Sequence, residues 1–210
     1  KGAELAVTTE CFLDGYAIFD KSMPIATYRA LGEPVPGGTY FKKLAALADE
    51  LDLHIVAGLL EADGDLRYNT AVLIGPDGSL KGKYRKQHLE HESVRNAPGD
   101  RCPSFGTPWG EMGIFICADR RLPDLVRRFR ESGADFFIIP SGGMFGQEKN
   151  DPIVQARAKE NGVPIAFVHP AQFLVVAPDG SILQSTVLVD TPAITPAEIG
   201  GPKDLNRIFL

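Results

Sequence analysis

The sequence has few cysteines and lacks any long hydrophobic segment, and these absences exclude several classes of protein. Its three cysteines, Cys11, Cys102 and Cys117, are an odd number at wide spacing, which predicts neither a disulfide framework nor a C-x-x-C metal motif. No apolar run approaches the roughly 20 residues that a transmembrane helix needs, and the first residues do not resemble the hydrophobic segment of a signal peptide. We therefore expect a soluble, cytoplasmic protein whose thiols are reduced.

The chain also lacks a long basic run. Its 210 residues carry a formal net charge of −5, which argues against a nucleic acid or an anionic membrane as its partner. A small-molecule substrate fits this charge better. With 44% hydrophobic residues, the chain is long enough for one α/β domain with a sizeable core.

The most informative stretch is GIFICADRRLPD (113–124), which changes abruptly from apolar to polar. Its first part is typical of a strand that is buried on both faces. Cys117 follows this strand, where a side chain can reach solvent while a rigid scaffold holds it, as a nucleophile requires. Taken alone, the stretch is equally consistent with a cysteine that only packs in the core.

Alternating strand and helix patterns predict an α/β protein with a mixed sheet or a pair of sheets. Helical spacing of apolar residues at 41–51 predicts an amphipathic helix with Thr39 as its N-cap. Further helices are expected at 123–131, with Pro123 in the first turn, and from Asp151 or Pro152 to the break at 161–162. Loops are expected at 23–38 and 141–146. The expected strands are 3–9, 53–60, 68–74, 80–89, 136–140, 164–169, 173–177 and 182–189.

Two charged residues stand in unusual contexts. Glu10 ends the first expected strand among large apolar residues in ECFLDGY (10–16), and such surroundings would raise the pKa of its carboxyl toward that of a general base. Lys86 belongs to the basic cluster in GKYRKQHL (82–89). In an extended chain it lies on the opposite face from Lys83 and Arg85, so it can point inward while they remain solvated. The ordinary alternative for both residues is a solvated surface charge.

Taken together, Glu10, Lys86 and Cys117 occur in an order and context that resemble the carbon–nitrogen hydrolase (nitrilase) superfamily. The resemblance covers nearly the whole chain. It extends to GKYRK (82–86), the Glu92-Ser step, APGD (97–100), GAD (133–135) before an apolar strand, ARAKEN (156–161) and APDG (177–180).

The resemblance implies an α-β-β-α sandwich in which Glu10, Lys86 and Cys117 form a catalytic triad at the carboxyl ends of strands. By this likeness Cys117 attacks an amide or N-carbamoyl carbon, Glu10 serves as general base and acid, and Lys86 with the backbone N–H of Ala118 stabilises the oxyanion. Glu92 matches the family's additional glutamate near the lysine, and Glu90 is the neighbouring rival for that role. Such chemistry requires no metal and no organic cofactor.

Arg120 and Arg121 raise the question of the substrate. They resemble the Cys-x-Asp-Arg-Arg pattern of N-carbamoyl-D-amino-acid amidohydrolases, in which the arginines bind the substrate carboxylate through paired charge-assisted hydrogen bonds. The alternative is that one or both form structural ion pairs with Asp119 or Asp124. Ala118 and the LPD segment (122–124) also differ from the common family residues, which reshapes the expected pocket.

The chain departs from the family pattern in two places. It begins at what resembles the family's second strand, so we expect this chain to form a sandwich without the first strand and helix, either because the sequence is truncated or because the protein lacks them. The connection within 167–177 is shorter than usual, which reduces the expected cover over the site. We assign the hydrolase domain to 1–190 and a C-terminal tail to 191–210, and the resemblance suggests a homodimer or larger homo-oligomer that uses this tail.

Three other functions are compatible with the sequence. An acyl-transferring relative would use the same triad with an amine in place of water. A binding or assembly protein could retain the fold without catalysis. A Cys-His hydrolase could pair Cys117 with His88 or His169, although that reading leaves Glu10 and Lys86 unexplained.

Overall fold

A computed structural model describes residues 2–187, which form four layers with two β-sheets in the middle. The first sheet has the order β1-β2-β3-β4, and the second has the order β10-β9-β8-β7-β6-β5. The tail at 191–210 lies outside the described residues. The strands of the first sheet are β1 (Leu5–Val7), β2 (His54–Asp63), β3 (Leu66–Ile74) and β4 (Leu80–Arg85); those of the second are β5 (Ser104–Thr107), β6 (Gly110–Ile114), β7 (Phe136–Pro140), β8 (Ile165–His169), β9 (Gln172–Val176) and β10 (Ile182–Val187).

Successive side chains along the strands of the first sheet pack alternately on its two faces, and each face contacts a different part of the protein. On β2, Ile55 and Ala57 pack in a cluster with helix α2 (Thr39–Leu51), whereas Val56 belongs to the larger core shared with the second sheet. On β3, Val72 likewise packs in the cluster with helix α2, and Leu73 packs in the core shared with the second sheet. Because successive side chains of a strand point to opposite faces, both faces of this sheet are buried.

Two helices cover the outer face of the second sheet. Helix α3 (Pro123–Glu131) begins with proline at its first position, where the missing N–H costs no hydrogen bond. Its Phe129 ring packs against Phe115 with ring centroids 5.5 Å apart. Helix α4 (Gln147–Asn161) contributes Val154 and Ala158 to the same core. The α-β-β-α sandwich expected from the sequence is confirmed.

The structure corrects two local predictions about helices. The segment expected as a loop at 23–38 contains a short helix, α1 (Ile25–Ala30), whose Tyr28 is buried. Helix α4 begins at Gln147 rather than at Asp151 or Pro152, because Gly146 adopts the positive φ of 83° at which the chain turns into the helix. Pro152 is therefore inside the helix.

The cap of α2 also differs from the prediction. Thr39 is the first helical residue rather than the N-cap, and the carboxylate of Glu33 accepts hydrogen bonds from the backbone N–H groups of Tyr40 (2.8 Å) and Phe41 (2.7 Å). A carboxylate satisfies these free amides and interacts favourably with the positive end of the helix dipole. No sequence pattern indicated this cap, because Glu33 lies outside the helix pattern.

Several strand bounds differ from those predicted, and two of these differences concern the functional residues. β4 ends at Arg85, so Lys86 is the first residue beyond the strand, and β6 ends at Ile114, before Cys117. The connection from β8 to β9 contains only Pro170 and Ala171, as the short 167–177 region predicted. Within the described residues, no helix has the length and apolar character needed to cross a membrane.

Candidate active site

The four residues with expected catalytic roles come together between the two sheets. Glu10 follows β1, Lys86 follows β4, Glu92 lies in a 3-10 turn (Glu90–Val94), and Cys117 begins another 3-10 turn (Cys117–Arg121). All four are buried, with Cys117 6% and Lys86 2% exposed. The expectation that Cys117 reaches solvent is therefore wrong, because Gly143 and Arg120 lie against its sulfur.

Cys117 has a strained backbone. Its φ of 46° lies in the left-handed region, which is unfavourable for a residue with a side chain. The following turn is held by Asp119, whose carboxylate accepts hydrogen bonds from Tyr84 Oη (2.8 Å), the His88 N–H (2.8 Å) and the Ile116 N–H (2.9 Å). These bonds tie the Cys117 turn to the chain around Lys86. Burial raises the pKa of Asp119 to about 6 in spite of them.

Lys86 binds both glutamates. Its Nζ donates to Glu10 Oε1 at 2.6 Å and to Glu92 Oε1. The side chains of all three are almost completely inaccessible to solvent. Glu90, the rival for the role of Glu92, instead lies near His88 and forms an ion pair with Arg121. Of the two candidates for the additional glutamate, Glu92 is therefore the one that contacts Lys86.

Asn69 is a member of this cluster that the sequence did not reveal. Its Nδ2 donates to Glu10 Oε1 at 2.8 Å and to Glu92 Oε2 at 3.0 Å. Asn96 also donates to Glu92 Oε2, at 3.3 Å, and accepts a hydrogen bond from Tyr28 Oη at 2.7 Å. An asparagine inside the apolar strand pattern at 68–74 was the available signal, because asparagine is disfavoured in strands unless its amide is used.

The other oxygen of Glu10 binds the loop after β7. The Gly142 N–H donates to Glu10 Oε2 at 2.8 Å. A Cβ at Gly142 would lie 2.5 Å from Tyr16 Cε2, so only glycine lets this backbone approach so closely. With Lys86, Asn69 and Gly142 as donors, both oxygens of Glu10 are satisfied.

These contacts reverse the expected pKa of Glu10. Burial, the strongest single influence, raises the pKa, but the charge of Lys86 and hydrogen bonds from Lys86 and Asn69 together lower it below its ordinary value. Glu92 behaves oppositely: burial and the nearby charge of Glu10 raise its pKa. The prediction of a raised pKa for Glu10 is wrong because it considered only the apolar neighbours in sequence.

The Cys117 thiol lies within reach of three groups. It donates a hydrogen bond to the Gly143 carbonyl at 3.4 Å, and its interaction with the Glu10 carboxylate contributes to lowering the pKa of Glu10. Arg120 Nη1 lies 3.6 Å from Sγ. Burial and the charge of Glu10 raise the pKa of the thiol, while Lys86 and Arg120 act in the opposite direction.

The two arginines have different surroundings. Arg120 is 2% exposed, and its guanidinium stacks over Phe167, 5.2 Å from the ring centroid. The Arg121 side chain is 42% exposed, pairs with Glu90 and lies 5.8 Å from the Phe145 ring centroid. Within residues 2–187, neither arginine pairs with Asp119 or Asp124, the acids considered from the sequence; Asp124 pairs with Arg127. Ala118 is buried beside Cys117.

The ring of His169 contacts backbone groups and Phe167. Its Nδ1 accepts a hydrogen bond from the Ala171 N–H at 3.0 Å, its ring bonds to the Gly142 backbone and it stacks on Phe167. Burial, followed by the charge of Arg120, lowers the pKa of His169 to about 4. A neutral ring whose partners are backbone groups supports the Gly142 loop rather than activating Cys117.

Comparisons with known proteins identify the family of the chain. The family model described as carbon-nitrogen hydrolase matches residues 1–191. The omega-amidase NIT2 of Homo sapiens is 31% identical, with 82% of this chain and 64% of the relative covered; NIT2 of Danio rerio is 29% identical with the same coverage. The chain thus spans 64% of the length of these curated relatives.

Solved structures share the fold. Nit3 of Saccharomyces cerevisiae, a member of branch 10 of the nitrilase superfamily, superposes with a TM-score of 0.77 at 28% identity, covering 88% of this chain and 73% of Nit3. An amidase from Nesterenkonia sp. AN1, with acrylamide added at its active site cysteine, gives a TM-score of 0.77 at 22% identity, covering 89% and 76% of the two chains. At that identity, the second likeness concerns the fold alone.

Proposed function

This chain belongs to the carbon–nitrogen hydrolase family, and on that premise we propose that it hydrolyses the C–N bond of a small amide through a covalent intermediate on Cys117. The observation that carries the proposal is the convergence of Glu10, Lys86 and Cys117 in one buried cluster. Glu10 and Lys86 are 76 residues apart in sequence and 2.6 Å apart in space. A fold needs no such buried charges, which are costly to desolvate.

In the first step Glu10 takes the proton of the Cys117 thiol as the sulfur attacks the amide carbon. The S–C bond forms, and the carbonyl oxygen becomes an oxyanion that Lys86 and the Ala118 N–H stabilise. The C–N bond then breaks, and Glu10 returns its proton to the departing ammonia or amine. The result is a thioester on Cys117.

In the second step water releases the acyl group. Glu10 takes a proton from the water as its oxygen attacks the thioester carbon, and the thiol recovers a proton as the S–C bond breaks. A carboxylate with a lowered pKa is ionised before each step and is ready to accept the proton. Glu92 and Asn69 serve by positioning Lys86 and Glu10.

We further propose that the substrate carries a carboxylate, as an omega-amide or an N-carbamoyl amino acid does. Arg121 is the accessible member of the arginine pair, and its partner Glu90 is itself 32% exposed. A substrate carboxylate can replace Glu90 on this guanidinium without leaving a buried charge unpaired. A homo-oligomeric state and a cytoplasmic location remain predictions from the family resemblance.

The test is turnover of a panel of primary omega-amides, neutral amides and N-carbamoyl amino acids, with product and ammonia measured. We expect a burst of product, and mass spectrometry should find the acyl group on Cys117. Cys117→Ala should abolish both, and Cys102→Ala, the matched control, should retain them. Release of hydroxamate in the presence of hydroxylamine would show how readily an amine competes with water. No turnover together with no alkylation of Cys117 at neutral pH would contradict the proposal and favour a binding protein.

A further inference from the structure

Lys86 acts to lower the pKa of the Cys117 thiol, but it shares its charge with two carboxylates. Its ammonium is already paired with the carboxylates of Glu10 and Glu92, both buried. A thiolate that forms beside this cluster adds negative charge where two acidic groups already lie. Because such interactions are strong in a water-excluded site, a further cation next to the sulfur would change the reactivity of the thiol substantially.

Arg120 is such a cation. Its Nη1 lies 3.6 Å from Cys117 Sγ and its Nη2 donates to the Gly143 carbonyl at 3.3 Å. The same carbonyl accepts the thiol hydrogen bond at 3.4 Å. Arg120 and the thiol are therefore bridged by one backbone oxygen and held in fixed relative positions.

The charge of Arg120 has no acidic counterpart among residues 2–187. The ion pairs found there do not include it. Its Nε is buried and has no hydrogen-bond partner within the described residues. The Phe167 ring beneath the guanidinium offers only a weak cation–π contact. A buried cation without an anion is unfavourable, and the atom in front of it that can become an anion is Cys117 Sγ.

We propose that Arg120 is a second cation of the catalytic centre, whose guanidinium stabilises the Cys117 thiolate while Lys86 remains bound to Glu10 and Glu92. The thiol proton goes to Glu10, and the negative charge left on sulfur faces Nη1. This role rests on the proposed function, which makes Cys117 the nucleophile. Among the described residues, the ionisable groups that interact with the sulfur are Glu10, Tyr16, Lys86 and Arg120. Glu92, Asp119 and His169 each interact with one or more of these groups.

Alkylation of Cys117 tests this role without requiring turnover. The rate of carboxamidomethylation by iodoacetamide is measured from pH 5 to pH 10 and assigned to Cys117 by peptide mass spectrometry, which separates it from Cys11 and Cys102. For Arg120→Met we expect the rate at pH 7 to fall about tenfold or more, equivalent to an apparent pKa higher by about one unit or more. Arg120→Lys keeps the charge but loses the planar fork that holds Nη1 against the sulfur, so its rate should lie between those of the native protein and Arg120→Met.

Matched variants separate charge from structure. Arg127→Met removes an exposed arginine of α3 and should leave the profile unchanged. Arg120→Gln removes the charge but retains a donor for the Gly143 carbonyl. It replaces Arg120→Met in the alkylation experiment if Arg120→Met does not fold. The rate ratio of iodoacetate to iodoacetamide should fall in the neutral variants, since the anionic reagent loses its attraction to Arg120.

The decisive outcomes are distinct. An unchanged pH profile in folded Arg120→Met and Arg120→Gln would overturn the proposal, as would a rate for Arg120→Lys no higher than that of Arg120→Met. If the neutral variants instead lose affinity only for carboxylate substrates, Arg120 binds substrate and the thiolate role is wrong. Absence of turnover in the native protein, with the shifted alkylation profile present, would contradict the proposed function alone.

Discussion

Lys86 Nζ donates to Glu10 Oε1 at 2.6 Å in a pair from which solvent is almost completely excluded. A pair of this kind stabilises a fold only while both partners are present, because either charge alone is costly to bury. Lys86 also binds Glu92, so its loss leaves two carboxylates without their cation. Stability and reactivity thus depend on the same side chain.

Lys86→Met should therefore destabilise the protein by about 3–5 kcal/mol and abolish activity. Urea denaturation gives the change in unfolding free energy. Lys81→Met is the control: its partner Asp77 is 58% exposed, and such surface pairs contribute little to stability. Similar losses in the two variants would contradict the importance of burial for the Lys86 cluster.

Asn69 should position the two glutamates. Asn69→Leu removes both of its donated hydrogen bonds, and loss of charge-assisted bonds of about 1.5–3 kcal/mol each predicts a reduction of at least tenfold in kcat/KM. Asn69→Asp replaces these donors with another carboxylate, so the pKa of Glu10 should rise and the acidic limb of the pH–rate profile should move to higher pH. If the limb stays in place with Asn69→Asp, Asn69 does not control the ionisation of Glu10.

Gly58 lets the Glu10 segment cross closely over β2. A Cβ at Gly58 would lie 2.6 Å from both the Cys11 nitrogen and the Thr9 carbonyl oxygen. Gly58→Ala should cost about 1–3 kcal/mol of stability by overpacking and should lower activity further by displacing Glu10. Thermal unfolding and turnover are measured together. Gly106→Ala is the control, because its Cβ would meet only Glu111 Oε1, at 3.4 Å.

Asp14 should make stability fall as pH rises. Burial, the main cause, raises the pKa of Asp14 to about 7, and its Oδ2 is buried without a hydrogen-bond partner among the described residues. Because the folded state favours the protonated form of Asp14, the free energy of unfolding falls as the pH rises above about 4, the pKa of an aspartate in the unfolded chain. The loss reaches its full size above about pH 7. Asp14→Asn should therefore stabilise the protein by about 1–3 kcal/mol more at pH 8.5 than at pH 5. Asp65→Asn, at an exposed turn, should show no such difference in denaturation experiments.

Arg121 should discriminate between substrates. Loss of one charge-assisted interaction predicts a decrease of about 10- to 100-fold in kcat/KM for a carboxylate-bearing amide or N-carbamoyl amino acid in Arg121→Ala, with little change for a neutral amide. The two substrates are compared in the same variant, with Arg127→Ala as a surface control. Equal losses on both substrates would exclude a carboxylate-binding role.

The local pattern of the chain predicted much of the architecture. Apolar runs such as 136–140 and the helical spacing at 41–51 are properties of adjacent residues, so they appear in sequence whatever the final topology. The family resemblance singled out Glu10, Lys86, Glu92 and Cys117, and the structure places these four together. Their catalytic roles remain proposals.

What depends on contacts between distant segments was decided only by tertiary structure. The pKa of Glu10 is lowered rather than raised because Lys86 and Asn69, 76 and 59 residues away, outweigh its apolar neighbours. The neighbours Arg120 and Arg121 look equivalent in sequence, yet the turn after Cys117 sends one to the sulfur and the other to Glu90 at the surface. Sequence alone determined which chemical groups are available, whereas the folding of the segments around Cys117 determined their charge partners and their exposure to water, because electrostatic interactions depend on distance in space and on burial.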